Sequence, residues 1–299
     1  MSGSAAGSMT GPSSTLARVP GFCLELVGSM SEGAAGNPTG VMIEAAFEHH
    51  GLAWRYVNME VAAAELADAV RGSRAMGFRG FNCSMPHKVA VIDHLDGLAP
   101  SASVIGAVNC VVREGDSLIG HNTDGEGFLR ALGERVDVRG TRVLVLGAGG
   151  AARAIAVELA FAGAAHIGIV NRDNVRGTAL AELITVNTPC PAAFTPWVGD
   201  IVVPPGTDVL VNATSVGLYA PEDRPAVDVG SLGNATLVAD VVFNPVDTRL
   251  LGDAAAQGCQ TLDGLGMLVH QGAAAIERWA GVSPDRGVMR DALATALAR

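Results

Sequence analysis

Lysine is almost missing from this chain. Among its 299 residues there are 20 basic ones, and all but Lys88 are arginine. Arginine serves at helix ends, in surface pairs and against phosphates, but a guanidinium does not release a proton near neutral pH, whereas a partly desolvated ammonium does. The single amine therefore marks a candidate site for proton chemistry, although a lone lysine is also often just a solvated one. Aromatic residues are scarce too, at 4%, so alanine, valine, leucine and glycine must do most of the packing, which suits helices laid closely on a parallel sheet. The five cysteines, Cys23, Cys83, Cys110, Cys190 and Cys259, are odd in number, scattered and without a CxxC pair. That pattern speaks against a disulfide framework or a zinc site and for a reducing, cytoplasmic compartment. The seven histidines are dispersed, and the adjacent His49 and His50 would point apart on a helix, so no metal is expected. No apolar run reaches the ~18–20 residues of a membrane span. A net charge of -10 argues against nucleic acid or an anionic membrane as partner, while leaving room for a small anion in a local basic pocket.

What is present suggests about two domains, at roughly 100–200 residues each. Residues 1–19, rich in Ser, Gly and Ala, read as a flexible leader without a signal-peptide core. Phe22–Val27 reads as a first strand ending at Gly28, followed by a Gly/Ser-rich loop and a helix over Val41–His50. Trp54–Val57 and Met76–Asn82 read as strands flanking a helix at Val61–Gly72, and Gly106–Arg113 and Asp116–His121 as two strands turning at Gly115. After a helix at Phe128–Gly133, the apolar strand Val143–Leu146, a glycine cluster, an alanine-rich helix to Ala162 and the strand His166–Val170 form a βαβ unit of about thirty residues. Val209–Asn212 and Leu237–Val242 are further buried strands, and Met267–Ala280 and Val288–Arg299 read as helices. Strands alternating with helices imply an α/β fold with a parallel, doubly wound sheet.

The glycine cluster carries the first chemical expectation. Gly147-x-Gly149-x-x-Ala152 follows a buried strand and opens a helix, the context that makes such a pattern a dinucleotide site. The first glycine permits the tight turn, the second lets backbone approach a pyrophosphate, and Ala152 lets helix and strand pack closely; free N–H groups at the helix start face the phosphates. The end of the next strand gives a mixed cofactor reading over Asn171-Arg172-Asp173-Asn174-Val175-Arg176. Arg172 and Arg176 favour the 2'-phosphate of NADP, whereas Asp173 favours NAD, and a solvated Arg–Asp pair accounts for the same residues. Asp124, in Gly120-His-Asn122-Thr-Asp124-Gly125, is either an Asx-turn residue or an acid that partners Lys88 in moving a hydroxyl proton. Spacing alone does not decide whether the two side chains meet.

These motifs together resemble the shikimate dehydrogenase (shikimate/quinate dehydrogenase) family. Asn82-Cys-Ser84-Met-Pro86-His-Lys88 is similar to its Asn-Val-Thr-x-Pro-x-Lys, Gly106-Ala-Val-Asn109 to its Gly-Ala-Val-Asn, and Asn122-Thr-Asp124 to its Asn-Thr-Asp. Asn171-Arg172 resembles the family's cofactor clamp and Asn212-Ala-Thr-Ser215-Val-Gly217 its Asn-Ala-Thr-Ser-x-Gly. Asp240-Val-Val-Phe243-Asn-Pro245, Thr248-x-Leu250-Leu251 and Gly266-Met267-Leu268-x-x-Gln271 complete the series, which runs from about residue 22 to the C-terminus. The resemblance implies a substrate domain at 20–122, a Rossmann NAD(P)-binding domain at 123–265 and C-terminal helices at 266–299 that return to the substrate domain. It implies a catalytic pair Lys88 and Asp124, with Asn37, Thr39, Ser84, Asn109 and Gln271 holding a small polyhydroxylated cyclic acid. For the cofactor it implies Gly147, Ala148, Gly149, Gly150, Ala151, Ala152, Asn171, Arg172, Asp173, Arg176, Thr214, Ser215, Val242, Gly264 and Met267. A monomer or homodimer is expected.

The departures gather at one end of the expected substrate site. Where the family has Ser-x-Ser-Pro-x-x-His-Asn, this chain has Asn37-Pro38-Thr39-Gly40 and Ile43-Glu44, with a longer preceding loop, and Phe243 replaces a tyrosine. In the cofactor clamp Asp173 replaces threonine. The expected reaction is NAD(P)-dependent hydride transfer at a ring hydroxyl, with shikimate the first candidate, turned over weakly, and quinate, an aminoshikimate or another cyclic polyol as alternatives. A non-catalytic ligand-binding regulator would not need both Lys88 and Asp124, and a folate-type dehydrogenase would not carry the Asn-Thr-Asp and Asn-Ala-Thr-Ser series.

Overall fold

Two six-stranded sheets organise the chain. The structure is a computed structural model describing residues 24–297; the leader expected at 1–19, the start of the strand expected from Phe22 and the last two residues lie outside the described residues. The first unit runs β1 (Glu25–Ser31), α1 (Thr39–His49), β2 (Trp54–Glu60), α2 (Leu66–Ala75), β3 (Gly80–Cys83), α3 (His87–Ala90), β4 (Gly97–Leu98), α4 (Pro100–Ile105), β5 (Cys110–Glu114) and β6 (Ser117–His121). Its strand order is β2-β1-β3-β5-β6-β4. β1 lies parallel to β2 and β3, and β5 is antiparallel to β3 and β6. The sheet is therefore mixed rather than wholly parallel.

Local deviations from the expected boundaries have physical causes. β1 does not stop at Gly28 but continues to Ser31, because that glycine permits close approach: a Cβ there would collide with the Val57 carbonyl of β2. The helix expected from Val61 begins as a 3-10 turn at Ala63–Glu65 and becomes α2 only at Leu66. Gly77, at φ 78°, turns the chain, so the strand expected from Met76 starts at Gly80.

The second unit runs α5 (Thr123–Gly133), β7 (Arg142–Leu146), α6 (Gly150–Phe161), β8 (His166–Asn171), α7 (Asn174–Asn187), β9 (Ala192–Pro196), β10 (Thr207–Asn212), β11 (Ala235–Asp240), α8 (Arg249–Ala256) and β12 (Gln260–Leu262). All its strand pairs are parallel, in the order β12-β11-β10-β7-β8-β9. This is the doubly wound order, with the topological switch between β7 and β10, where such sheets bind dinucleotides. β7 is buried from Val143 to Leu146, as a strand covered on both faces must be.

α9 (Gly264–Ala280) and α10 (Arg286–Leu297) then pack back on the first unit. Leu265, Val269, Ala273 and Ile276 of α9 and Met289 and Leu293 of α10 share a core with Val27, Met42, Phe47 and Cys110. Trp279 Nε1 donates to the Val111 carbonyl at 2.9 Å, tying α9 to β5. A second seam joins the units where Ile105 of α4 meets Ala154 and Val157 of α6. A cleft lies between these seams.

Candidate active site

Helix capping puts the acid in place. Asn122 precedes α5, and its Oδ1 accepts from the backbone N–H groups of Asp124 (3.1 Å) and Gly125 (3.3 Å). Its Nδ2 donates to the Ala107 carbonyl at 3.1 Å, so one side chain fixes both the start of α5 and the loop before β5. Asp124 thereby sits in the first turn of a helix, where the dipole favours its negative charge. The Asx-turn expected there is real, and it belongs to Asn122. Asp124 itself is turned to Lys88, whose Nζ stands 2.7 Å from Asp124 Oδ2. The two side chains are partly exposed, at 33% for Lys88 and 19% for Asp124.

Lys88 is placed by the β3–α3 turn. The segment is held by Cys83 N–H donating to the Asn109 carbonyl (2.9 Å), Ser84 N–H to Met30 (3.1 Å) and Val108 N–H to the Lys88 carbonyl (2.7 Å). Buried His87 anchors it underneath through Nε2, 2.8 Å from the Val61 carbonyl. Cys83, adjacent and buried, has its thiol pushed up to about 12 by desolvation, with the Lys88 charge opposing. It is therefore an inert packing residue at neutral pH.

Asn109 is tied to the acid. Its Nδ2 donates to Asp124 Oδ1 (2.8 Å) and to Thr123 Oγ1 (3.0 Å), while its Oδ1 accepts from Thr123 N–H (2.6 Å). Both Asp124 oxygens are thus engaged, one by the amine and one by the amide. Behind it, Asn82 donates to the Asn109 carbonyl at 2.9 Å and accepts from the Tyr56 hydroxyl at 2.9 Å. Burial holds that phenol neutral by raising its pKa.

These groups face a cavity of about 410 Å³ in the cleft. All seven residues expected at the catalytic and substrate positions line it: Asn37, Thr39, Ser84, Lys88, Asn109, Asp124 and Gln271. They come from the segment entering α1, the β3–α3 turn and α3, the residue before β5, the start of α5, and α9, so no local stretch holds the site. Asn37 is already occupied, with Oδ1 accepting from Thr39 N–H (3.0 Å) and Nδ2 donating to Ser29 Oγ (3.3 Å). Phe243 and Leu268 supply the apolar wall, and Glu32 also lines the cavity.

The positions expected to meet the cofactor gather at the carboxyl ends of the second sheet. Gly147 takes φ 111°, a conformation that favours glycine, and lies beside Ala213 and Thr214. Gly149 caps α6 without a side-chain hydrogen bond, and a Cβ added at Gly149 or Gly150 would meet nothing within 4 Å. The start of α6 therefore borders open space at the end of a helix whose dipole favours an anion, while the Ala152 side chain is buried against the core. Ala148 packs partly against that core too. Gly264 lets α9 start directly over the Val242 carbonyl, which an added Cβ would strike; Met267 packs one turn on. Ser215 is exposed just beyond β10.

The clamp residues separate in space. Asp173 caps α7: its Oδ1 accepts from Arg176 N–H at 3.1 Å and its Oδ2 is 3.5 Å from Arg176 Nε. Asn171 Nδ2 bonds the Asp173 carbonyl at 2.8 Å. Arg172 instead lines a pocket of about 350 Å³ with Trp197 and Thr214, at the ends of β8, β9 and β10. Trp197 is fixed by its backbone N–H to Asn171 (3.0 Å) and its Nε1 to Ala226 (3.1 Å).

A doubly wound sheet with an open glycine turn, facing a cavity that holds an amine–carboxylate pair, defines an NAD(P)-dependent oxidoreductase acting on a hydroxyl. Sequence comparison agrees. The shikimate dehydrogenase substrate-binding domain matches residues 38–111, and the shikimate 5'-dehydrogenase C-terminal domain matches residues 264–294. The chain is 43% identical over 267 residues to the shikimate dehydrogenase (NADP(+)) of Geobacter metallireducens, covering 87% of this chain and 92% of that one. This protein belongs to the shikimate dehydrogenase family. Among solved structures, the shikimate 5-dehydrogenase of Thermus thermophilus in complex with NADP(H) and shikimate superposes with a TM-score of 0.80 at 34% identity, covering 91% of this chain and 100% of that one. The ligand-free 5-ketofructose reductase of Gluconobacter sp. strain CHM43 is more similar, with a TM-score of 0.90 and 54% identity over 92% of this chain and 99% of that one.

Two cavity-lining residues, Glu32 and Trp197, stand outside the positions expected from the sequence. Glu32 sits in the Gly/Ser-rich loop, where its charge was the only distinguishing mark. Trp197 lies beyond β9, a strand not anticipated, although a tryptophan in a chain with so few aromatics was a usable sign.

Proposed function

We propose that this protein moves a hydride between NADP and a ring carbinol by the reaction 3-dehydroshikimate + NADPH + H+ = shikimate + NADP+, with Lys88 and Asp124 as the proton-handling pair. The carrying observation is the 2.7 Å contact between Lys88 Nζ and Asp124 Oδ2 inside a cavity that also gathers Thr39, Ser84 and Gln271. The dinucleotide, when bound, supplies or accepts the hydride. Lys88 Nζ holds the proton of the reacting oxygen, Asp124 keeps the amine oriented, and Asn109 keeps Asp124 oriented. The open start of α6 suits the pyrophosphate, and Arg172 suits the 2'-phosphate. Because Asp173 caps α7 and is paired with Arg176, its charge is offset and weighs less against that phosphate, so NADP is the preferred cofactor.

One observation favours a second substrate for the same chemistry. The 5-ketofructose reductase, whose name denotes an uncharged ketose, shares more of this sequence than the shikimate-bound Thermus enzyme does. The replaced positions Asn37, Thr39 and Phe243 also lie where the family pattern provides serines and a tyrosine. A neutral polyhydroxy ketone is therefore the alternative substrate. The buried, unpaired thiols of Cys83, Cys110 and Cys190 suit a cytoplasmic location. All proposed groups belong to one chain, so a monomer or a homodimer serves equally.

Steady-state assays on the purified protein with shikimate, quinate, 5-ketofructose and fructose, each with NADP(H) and NAD(H), test the reading. The expected result is turnover with a preference for NADP(H) and weak use of shikimate. No turnover of any polyol or ketose with either cofactor would reject the enzyme assignment, and fast, saturable shikimate oxidation would reject the neutral alternative.

A further inference from the structure

The cavity has an electrostatic imbalance. The charged side chains lining it are Glu32, Lys88 and Asp124. Lys88 and Asp124 compensate each other across 2.7 Å, so among the described residues that line the cavity Glu32 is the charge with no opposite charge beside it there. It follows β1, is exposed and lines the cavity. It is held at two points, and the turn after it is held as well. Its backbone N–H donates to the Met85 carbonyl at 3.3 Å. Its Oε1 accepts from Ala63 N–H at 2.9 Å. The next turn is clamped by Glu60, whose two oxygens accept from Gly33 N–H (2.7 Å) and Ala34 N–H (2.8 Å).

The same end of the cavity offers an anion uncharged donors such as Thr39 and Ser84. Asn37 has its amide engaged with Thr39 and Ser29. An anionic substrate would bring a carboxylate toward a fixed carboxylate, and among the described lining residues the one cation is an amine already paired. A hydroxyl or a ketone carries no such penalty and still finds hydrogen-bonding partners.

We propose that Glu32 is a specificity-determining residue that sets this cavity against anionic substrates and in favour of neutral polyhydroxy ketones and the corresponding alcohols. The proposal rests on the alternative reading above, a neutral polyhydroxy ketone as substrate, and not on the shikimate reaction or on turnover.

Shikimate and its uncharged methyl ester differ at the acid group, so their ratio of affinities isolates the charge effect. Calorimetric titration of both into the NADP-loaded protein, at 20 and 300 mM salt, compares the natural chain with Glu32→Gln, which keeps the acceptor for Ala63 N–H. The ester is expected to bind the natural protein more tightly than shikimate. Glu32→Gln is expected to narrow that ratio by about fivefold at low salt, chiefly by strengthening shikimate, with a smaller change at high salt as the mouth is screened. An affinity ratio that Glu32→Gln leaves unchanged, or no binding of either compound to either protein, would overturn the proposal. A charge-dependent ratio in a protein that turns over nothing would leave Glu32 standing and reject the enzymatic reading instead.

Discussion

A lone amine becomes useful only when its surroundings hold it. Lys88 is fixed from below by His87 and from the side by Val108 N–H, and its ammonium is aimed at Asp124. Removing the amine leaves the carboxylate and the fold in place, so Lys88→Ala should lower kcat by about 10²–10⁴, the range general acid–base groups contribute. NADP binding, followed by quenching of tryptophan fluorescence, should change little because Arg172 and Trp197 form a separate pocket. Full activity in Lys88→Ala would remove it from the proton-transfer role. The pair was legible because both residues stand in ordered motifs, and in the case of lysine because it has no rivals in the chain. What Asn109 does was less legible. A motif marks a residue as belonging to a site, but whether its amide meets substrate or a neighbouring acid depends on three-dimensional distance. Asp173 shows the same limit: its charge was visible and its direction was not, because capping of α7 settles where it points.

At the scale of elements, the site depends on how α5 crosses α9. The crossing is close because Gly127 has no side chain: a Cβ there would lie 2.6 Å from Gln271 N and 2.7 Å from the Met267 carbonyl. Ion pairs join the same helices, with Arg130 to Glu277 at 2.8 Å and Arg278 to Glu126 at 2.7 Å. Gly127→Ala must push α9 outward. It should cost about 1–3 kcal/mol in chemical denaturation, as overpacking does, and should raise KM because Gln271 moves with the helix. Gly133→Ala, on the same helix with nothing within 4 Å of the added carbon, is the matched control and should leave KM unchanged. Equal behaviour of the two variants would show that the crossing does not position the site. The helices and strands best read from sequence were β7, α6 and β8, whose continuous apolar runs and glycine punctuation are strong local signs. α7 and α8 were not anticipated. α7 begins in a polar stretch with only scattered apolar positions, and its buried residues, Gly177, Leu180, Ala181 and Ile184, become evident only against the sheet. β9 and β12 were missed for a related reason. They are the two edges of their sheet, and an edge strand is half-exposed, short and weakly patterned.

Across the whole molecule, burial of histidine ties stability to pH. Desolvation holds His121, His166 and His270 below the ordinary imidazole value, with Arg278 adding to it at His121 and Arg142 at His166. A depressed folded value means that the unfolded chain binds more protons between that value and about 6.5, the value of an unperturbed histidine. Their contribution is therefore complete above about 6.5 and is lost as the pH falls toward the folded values. Burial of Asp240 and Glu158 raises those two carboxyls and acts in the opposite direction, so a single variant is needed to isolate the imidazoles. His121 is suitable, since among the described residues its buried Nε2 has no hydrogen-bond partner. Melting temperatures of the natural protein and His121→Gln, measured at pH 7.5, 6.5 and 5.5, should diverge. The natural protein should lose more on acidification, by an amount on the order of 2–4 °C for each kcal/mol involved, and His121→Gln should show the shallower fall. Parallel curves for the two proteins would show that protonation of His121 does not oppose folding, and would shift the acid sensitivity to His166 and His270.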